Sequence, residues 1–249
     1  MTTKIWAHRG ASTVAPENTM AAFNLAVTQG ADGIELDVHL SADGQLVVTH
    51  DEDCRRVTGV DGQIGASTLE QLRRLDFARI RPGFDRQPIP LLVEVFDLIR
   101  PTGMMINIEL KNSLVFYPEL EEKVIDLTVV HNMQEQVCLS SFNHASMVKA
   151  SAMIAARGLG IVCGLLYSAG LYEPWDYARR IGAGALHPHY ANLLIPNLIR
   201  DSHAAGIAVN AWTIDLPEHL QMAMMLGADA IITNVPDLAL DIRRQINSR

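Results

Sequence analysis

Short apolar runs rich in β-branched residues alternate with longer amphipathic stretches from one end of the chain to the other, and the alternation repeats eight times. That is the pattern of parallel strands joined by helical crossovers. Eight such units in 249 residues suit a TIM (β/α)8 barrel, an α/β fold with one large core, and no linker divides residues 1–249 into two domains. The spacing predicts strands over residues 4–8, 33–39, 104–110, 136–140, 160–166, 185–187, 208–211 and 230–233, with an additional strand over 45–50 beside the second. Helices are expected over 20–29, 91–100, 117–132, 145–156, 174–181, 196–205, 217–226 and 237–245.

Local punctuation supports these units. Gly30-Ala31-Asp32, Gly182-Ala183-Gly184 and Gly227-Ala228-Asp229 each precede a strand, where a glycine ends a helix in the left-handed conformation and reverses the chain. Thr19 and Asn143 stand where helix N-caps belong, and Pro196 and Pro217 fall where a first helical turn tolerates proline. The main irregularity is residues 51–90, with one helix-like stretch over 69–75 followed by a polar segment, 77–90, that carries Arg79, Arg81, Arg86 and Pro82-Gly83. Such a segment is either a lid or a solvated connection.

Composition narrows the function. With 28 acidic against 20 basic residues, the chain lacks the clustered positive charge of a sequence-independent nucleic-acid binder, so the expected partners are small molecules. Three widely spaced cysteines, Cys54, Cys138 and Cys163, form neither a disulfide framework nor a zinc pattern and suit a reducing compartment. No apolar tract reaches the roughly 18 residues of a membrane span, and no basic amphipathic helix is evident, so a cytoplasmic protein without stable membrane association is expected.

The carboxyl ends of barrel strands are where such folds build active sites, and these ends are crowded with polar residues. Side chains on a strand alternate faces, so Glu35 and Asp37 project to one side of the second strand and Glu109 and Lys111 to one side of the third. Three convergent acids in a packed barrel need a partner. A hard divalent cation, Mg²⁺ or Ca²⁺, fits an oxygen-only donor set, and salt bridges with Arg9 and Lys111 are the alternative. Arg9 and Lys111 offer donors for a phosphate. His8 and His50, with the one side chain whose ordinary pKa lies near neutrality, are candidates for removing and returning a proton. His39 reads as a supporting residue and His187 as packing or a substrate contact. Trp212 is either an apolar wall for substrate or a plug closing the barrel mouth.

These residues fall in an ordered set. His8-Arg9-Gly10, Ala15-Pro16-Glu17-Asn18-Thr19, Gly33-Ile34-Glu35-Leu36-Asp37-Val38, Val48-Thr49-His50-Asp51, Asn107-Ile108-Glu109-Leu110-Lys111, Ala211-Trp212-Thr213 and Thr233-Asn234-Val235-Pro236-Asp237 are similar in content and order to the motifs of the glycerophosphodiester phosphodiesterases. The resemblance spans essentially the whole chain. It implies a TIM barrel, a small insertion at about 51–90 between the second and third barrel strands, and hydrolysis of a glycerophosphodiester such as glycerophosphocholine or glycerophosphoethanolamine to sn-glycerol 3-phosphate and an alcohol. It further implies one divalent cation on Glu35, Asp37 and Glu109, an acid/base pair in His8 and His50, and phosphate contacts from Arg9 and Lys111. A lipid-directed phospholipase D and a barrel that binds phosphorylated ligands without turnover are the competing readings; the first lacks an anchor, and the second would most simply require a missing member of the constellation.

Overall fold

The computed structural model describes residues 2–248. Its strands are β1 (Lys4–His8), β2 (Gly33–Leu40), β3 (Leu46–Val48), β4 (Met105–Leu110), β5 (Val137–Ser141), β6 (Val162–Tyr167), β7 (Ala185–Pro188), β8 (Ala208–Ala211) and β9 (Ala230–Thr233). β1 pairs in parallel with β2 on one edge and with β9 on the other, so eight parallel strands close into a TIM barrel, and β3 is added antiparallel to β2. Around them run α1 (Met20–Gln29), α4 (Leu92–Ile99), α5 (Leu120–Val130), α6 (His144–Ala156), α7 (Pro174–Arg180), α8 (Leu198–Ala204), α9 (Pro217–Leu226) and α10 (Pro236–Asn247), while α2 (Arg55–Thr58) and α3 (Leu69–Arg73) lie between β3 and β4.

The barrel is held by a shell of apolar side chains between strands and helices. Ile34, Leu36 and Val38 of β2 and Ile106, Ile108 and Leu110 of β4 are all fully buried there with Phe23, Phe96 and Val124. Both faces of the strands are covered, as a parallel sheet requires, so polar residues in these strands face the lumen rather than solvent. At the amino-terminal rim Asp32 accepts from the Ile5 amide at 2.7 Å and pairs with Arg243, tying α10 to the start of β1.

Helix ends follow the local code. Thr19 Oγ1 accepts from the Ala22 amide and Asn143 Oδ1 from the Ser146 amide, and Gly30, Gly182 and Gly227 are all left-handed. Pro217 opens α9, but Pro196 is outside its helix: α8 begins at Leu198, after Asn197 in a left-handed turn. The helix expected from residue 117 starts instead at Leu120, because the Tyr117 amide donates to Asn112 Oδ1 at 2.7 Å and holds that stretch in a loop. Residues 51–90 are more than a solvated connection. Cys54, Val57, Ile64, Leu72, Phe77 and Ile89 pack with Val47 into a small core of their own, and Thr68 and Gln71 form a capping box on α3.

Candidate active site

Strand periodicity and register together assemble the site. On β2 and β4 every second residue enters the apolar shell, which leaves Glu35, Asp37, Asn107 and Glu109 on the lumen face. In the pairing, Asp37 lies opposite Glu109, Glu35 opposite Asn107, and His8 opposite Glu35. One carboxylate oxygen from each of Glu35, Asp37 and Glu109 lies within 4.8 Å of the others. Acids separated by more than seventy residues therefore meet at one point because neighbouring strands are in step.

His50 arrives by a different device. β1 leaves the edge of β2 after Glu35, and β3 takes up the same edge, with Val38 opposite Val48 and the Thr49 amide donating to Asp37 O at 3.0 Å. His50, the next residue, is thus delivered beside the acids.

The turn after β1 brings Arg9. Arg9 and Gly10 both have positive φ, at 56° and 80°, and a Cβ on Gly10 would lie 2.6 Å from the Ala22 carbonyl carbon, so only glycine fits under α1. The Arg9 amide donates to Glu35 Oε2 at 3.0 Å, its guanidinium donates to Glu17 Oε1 at 2.9 Å, and Nε lies 3.4 Å from Asp37 Oδ2. Lys111 Nζ donates to Glu109 Oε1 at 3.1 Å and stands 3.7 Å from Asp37 Oδ1.

The electrostatics are those of crowded acids. Burial, together with the charges of Asp37 and Glu109, raises the Glu35 carboxyl well above the ordinary range, and burial beside Asp37 pushes Glu109 up to about 7 against the pull of Lys111. Burial would raise Asp37 too, but Arg9 and Lys111 hold it below the usual carboxylate range. Desolvation and the neighbouring Arg9 push His8 down to about 4. Burial alone would lower Arg9 and Lys111, yet Asp37 keeps both raised and charged.

Would a metal ion suit this donor set? Asp37 Oδ1 is buried without a hydrogen-bond partner, and Glu35 and Glu109 resist ionising because they are buried beside other carboxylates, a charge that a divalent ion would offset. The donors are all oxygen, the set preferred by a hard divalent ion. The residues fit such an ion.

Both histidines have one ring nitrogen anchored. His8 Nδ1 is 2.7 Å from Asn234 Oδ1, with Nε2 3.8 Å from Glu35 Oε2, and His50 Nδ1 is 2.6 Å from Asp51 Oδ1. Arg56 of α2 donates to Asp51 Oδ2 at 2.6 Å and to both oxygens of Glu17, so Glu17 and Asp51, the anchors of Arg9 and His50, share one guanidinium. His8, Arg9, Glu35, His50 and Glu109 line a cavity of about 90 Å³ whose other walls are Asn107, Phe142, Leu166, Trp212, Thr213 and Ile232. A larger hollow of about 350 Å³, between the β2–β3 turn and helices α4 and α5, contains none of the site's acids or histidines.

All eight residues singled out in the sequence converge: six of them line this cavity, Asp37 joins it through Glu35 and Glu109, and Lys111 lies beside it through Glu109 and Asp37. Trp212 donates from Nε1 to His187 O at 2.7 Å and meets Phe142 edge-on at 5.3 Å, and both rings line the cavity. His187 is packing: it is fully buried against Asn210, Cys138 and Trp6. His39 supports the site through Nε2, 3.2 Å from His50 O. Sequence reasoning did not assign parts to Glu17, Asn107, Asn234 or Asn18, which donates to Asp37 Oδ2, although each lies in a motif quoted above; Phe142 and Arg56 carry no local signal.

The chain is similar to known proteins over nearly its whole length. Residues 8–238 match the model of the glycerophosphoryl diester phosphodiesterase family. The chain is 44% identical over 247 residues to a glycerophosphodiester phosphodiesterase of Caldanaerobacter subterraneus subsp. tengcongensis, covering 98% of this chain and 99% of the relative. It is 36% identical to one from Bacillus altitudinis, again over 98% and 99%. Among solved structures it is similar to an Oleispira antarctica phosphodiesterase in complex with the product sn-glycerol 3-phosphate, at 29% identity and a TM-score of 0.81 over 97% of this chain and 96% of that one. The Agrobacterium tumefaciens glycerophosphodiester phosphodiesterase gives 28% identity and a TM-score of 0.83 over 96% and 99%.

Proposed function

The chain belongs to the glycerophosphoryl diester phosphodiesterase family and is a phosphoric diester hydrolase, and on that premise we propose that it cleaves glycerophosphodiesters, the esters left by phospholipid deacylation, to sn-glycerol 3-phosphate and an alcohol. Glycerophosphocholine and glycerophosphoethanolamine are the proposed substrates, one Mg²⁺ or Ca²⁺ the proposed cofactor, and the cytoplasm the proposed location. Among the described residues no helix is long and apolar enough to cross a membrane, in keeping with a small polar substrate.

The observation that carries the reading is the meeting of Glu35, Asp37 and Glu109 oxygens within 4.8 Å, with Glu35 and Glu109 lining one cavity beside two histidines and Arg9. Glu35, Asp37 and Glu109 hold the cation, which when bound supplies concentrated positive charge to the phosphoryl oxygens. Arg9 and Lys111 bind the phosphate and neutralise charge that builds on it during transfer. One of His8 and His50 takes a proton from the attacking oxygen and the other protonates the departing alkoxide; attack by water gives sn-glycerol 3-phosphate directly, whereas attack by the substrate's own 2-hydroxyl gives a cyclic phosphate that a water then opens to it. Their anchors, Asn234 and Asp51, fix the imidazoles in place for this exchange. Trp212 and Phe142 shield the carbon skeleton from water.

The test is an assay of purified protein on a panel of glycerophosphodiesters, with lysophosphatidylcholine as the lipid control. Phosphodiester cleavage should vanish with chelator and return with Mg²⁺ or Ca²⁺. Activity indifferent to chelation, or confined to the lipid, would overturn the proposal.

A further inference from the structure

Asp215 lies in the loop after β8, outside the catalytic cavity, yet its carboxylate is directed at the residue that anchors His8. Oδ1 accepts from the Asn234 amide at 2.8 Å and from Thr233 Oγ1 at 3.1 Å, and Oδ2 accepts from Asn234 Nδ2 at 2.7 Å. The Asn234 carboxamide therefore has its NH₂ turned towards Asp215 and its oxygen turned the other way, where it receives Ser12 Oγ at 2.7 Å and meets His8 Nδ1 at 2.7 Å.

We infer that Asp215 is a positioning residue that locks the Asn234 carboxamide oxygen onto His8, so that the His8 proton resides on Nδ1 and Nε2 is the bare nitrogen presented to the reaction. A carboxylate has only acceptors, so a flipped carboxamide would set oxygen against oxygen at Asp215 and leave the Asn234 NH₂ facing His8. An NH₂ group donates only, and a donor opposite Nδ1 selects the other tautomer, with the proton on Nε2 facing Glu35. Asp215 thus chooses between two nearly isosteric carboxamide orientations and, through them, between two states of an imidazole it does not touch. A residue at position 215 with no side-chain acceptor would leave the choice to Ser12, whose hydroxyl both donates and accepts and so selects neither.

The inference rests on the reading of His8 as a proton-transferring group, and its test separates the two. Protein labelled with ¹⁵N-histidine and loaded with Mg²⁺ is examined by long-range ¹H–¹⁵N correlation, with the His8 signals assigned by their loss in His8→Gln. The native protein should show the proton on Nδ1. Asp215→Ala should shift His8 towards the Nε2–H form and lower kcat roughly tenfold to a hundredfold with KM changed by less than about twofold, the size of effect seen when an outer hydrogen-bonding partner is lost. Asp215→Asn, which can still present its one oxygen to Asn234 Nδ2, should keep more of the native tautomer and of kcat than Asp215→Ala. An unchanged tautomer in Asp215→Ala, or an unchanged kcat, overturns the inference, and if that variant does not fold, Asp215→Leu is read in the same way. Normal turnover in His8→Gln would instead remove His8 from the chemistry, whatever tautomer the Asp215 variants display.

Discussion

Asn18 and Asp37 grip each other through both ends of one carboxamide: Asn18 Nδ2 donates to Asp37 Oδ2 at 2.8 Å, and Asn18 Oδ1 accepts from the Asp37 amide at 3.4 Å. Asn18 can do this because it occupies a left-handed turn, with φ 53°, that asparagine tolerates better than most residues. The contact aims the Asp37 carboxylate, whose other oxygen stays free. Asn18→Ala should therefore weaken divalent-cation affinity about tenfold to a hundredfold, measured by calorimetric titration with Mg²⁺ or Ca²⁺. Native affinity in this variant would show that Asp37 needs no such support.

His8→Gln and His50→Gln should each lower kcat on glycerophosphocholine by at least roughly a hundredfold, the low end for losing a general acid or base. Circular dichroism serves as the control for folding. Near-normal turnover in both variants would eliminate the pair as proton carriers.

Without a cation, Glu109 and Glu35 make stability depend on pH in a direction opposite to most carboxylates. The Glu109 pKa is raised from 4.5 to about 7, and that of Glu35 is raised as well, so the folded state holds protons that the unfolded chain has released. Stability of the metal-free protein should fall as pH climbs through that window, since the state binding fewer protons gains. Thermal melts should thus show Mg²⁺ raising Tm more at pH 8 than at pH 5. An equal rise at both would mean that the acids are not the binding group.

Glu17 and Asp51 behave in the reverse sense. Burial would raise both, but hydrogen bonds from Arg56 bring their folded pKa values below the ordinary ones. Their contribution is complete above the unfolded value and is lost as pH falls through the folded one, so residues 51–90 should loosen on the acid side, below about pH 4. Acid-stable pepsin should cut within 51–90 there while sparing the barrel strands. Arg56→Ala should expose the same segment to trypsin at neutral pH, and equal resistance in variant and native protein would count against the clamp.

Glu121 offers a stability test far from the chemistry. Its side chain is 2% exposed and accepts from Asn112 at 2.9 Å, from Lys149 at 2.8 Å and from Ser146, joining α5, α6 and the loop after β4. Glu121→Ala leaves three donors short of a partner and should destabilise the fold by about 2–4 kcal/mol in urea unfolding, with the cleavage reaction still present under native conditions. A loss below about 0.5 kcal/mol would mean that solvent replaces the carboxylate.

How much of this was open to inspection beforehand depended on distance along the chain. Glu35 and Asp37, or Glu109 and Lys111, share a face because a strand repeats every two residues, and that period is visible in any short window. Thr19, Asn143, Gly30 and Gly227 could be read for the same reason: a cap is satisfied within a few residues of itself. Segment 51–90 resisted, since its small core joins Cys54 and Phe77 to Val47 and Ile89 across two short helices with no strong period. Pro196 misled because proline is also at home just before a helix, and the left-handed Asn197 decided where α8 began.

The sequence by itself determined the strand and helix order, the faces on which the acids lie and the family to which the residues belong, because periodicity, capping and motif content are local properties. Only the tertiary structure decided that Asp37 stands opposite Glu109, that Arg56 spans Glu17 and Asp51, and that Asp215 governs Asn234 beside a histidine 226 residues earlier. Strand register and loop placement are set by the packing of the closed barrel, which sums contacts from every part of the chain and leaves no trace in any one stretch of it.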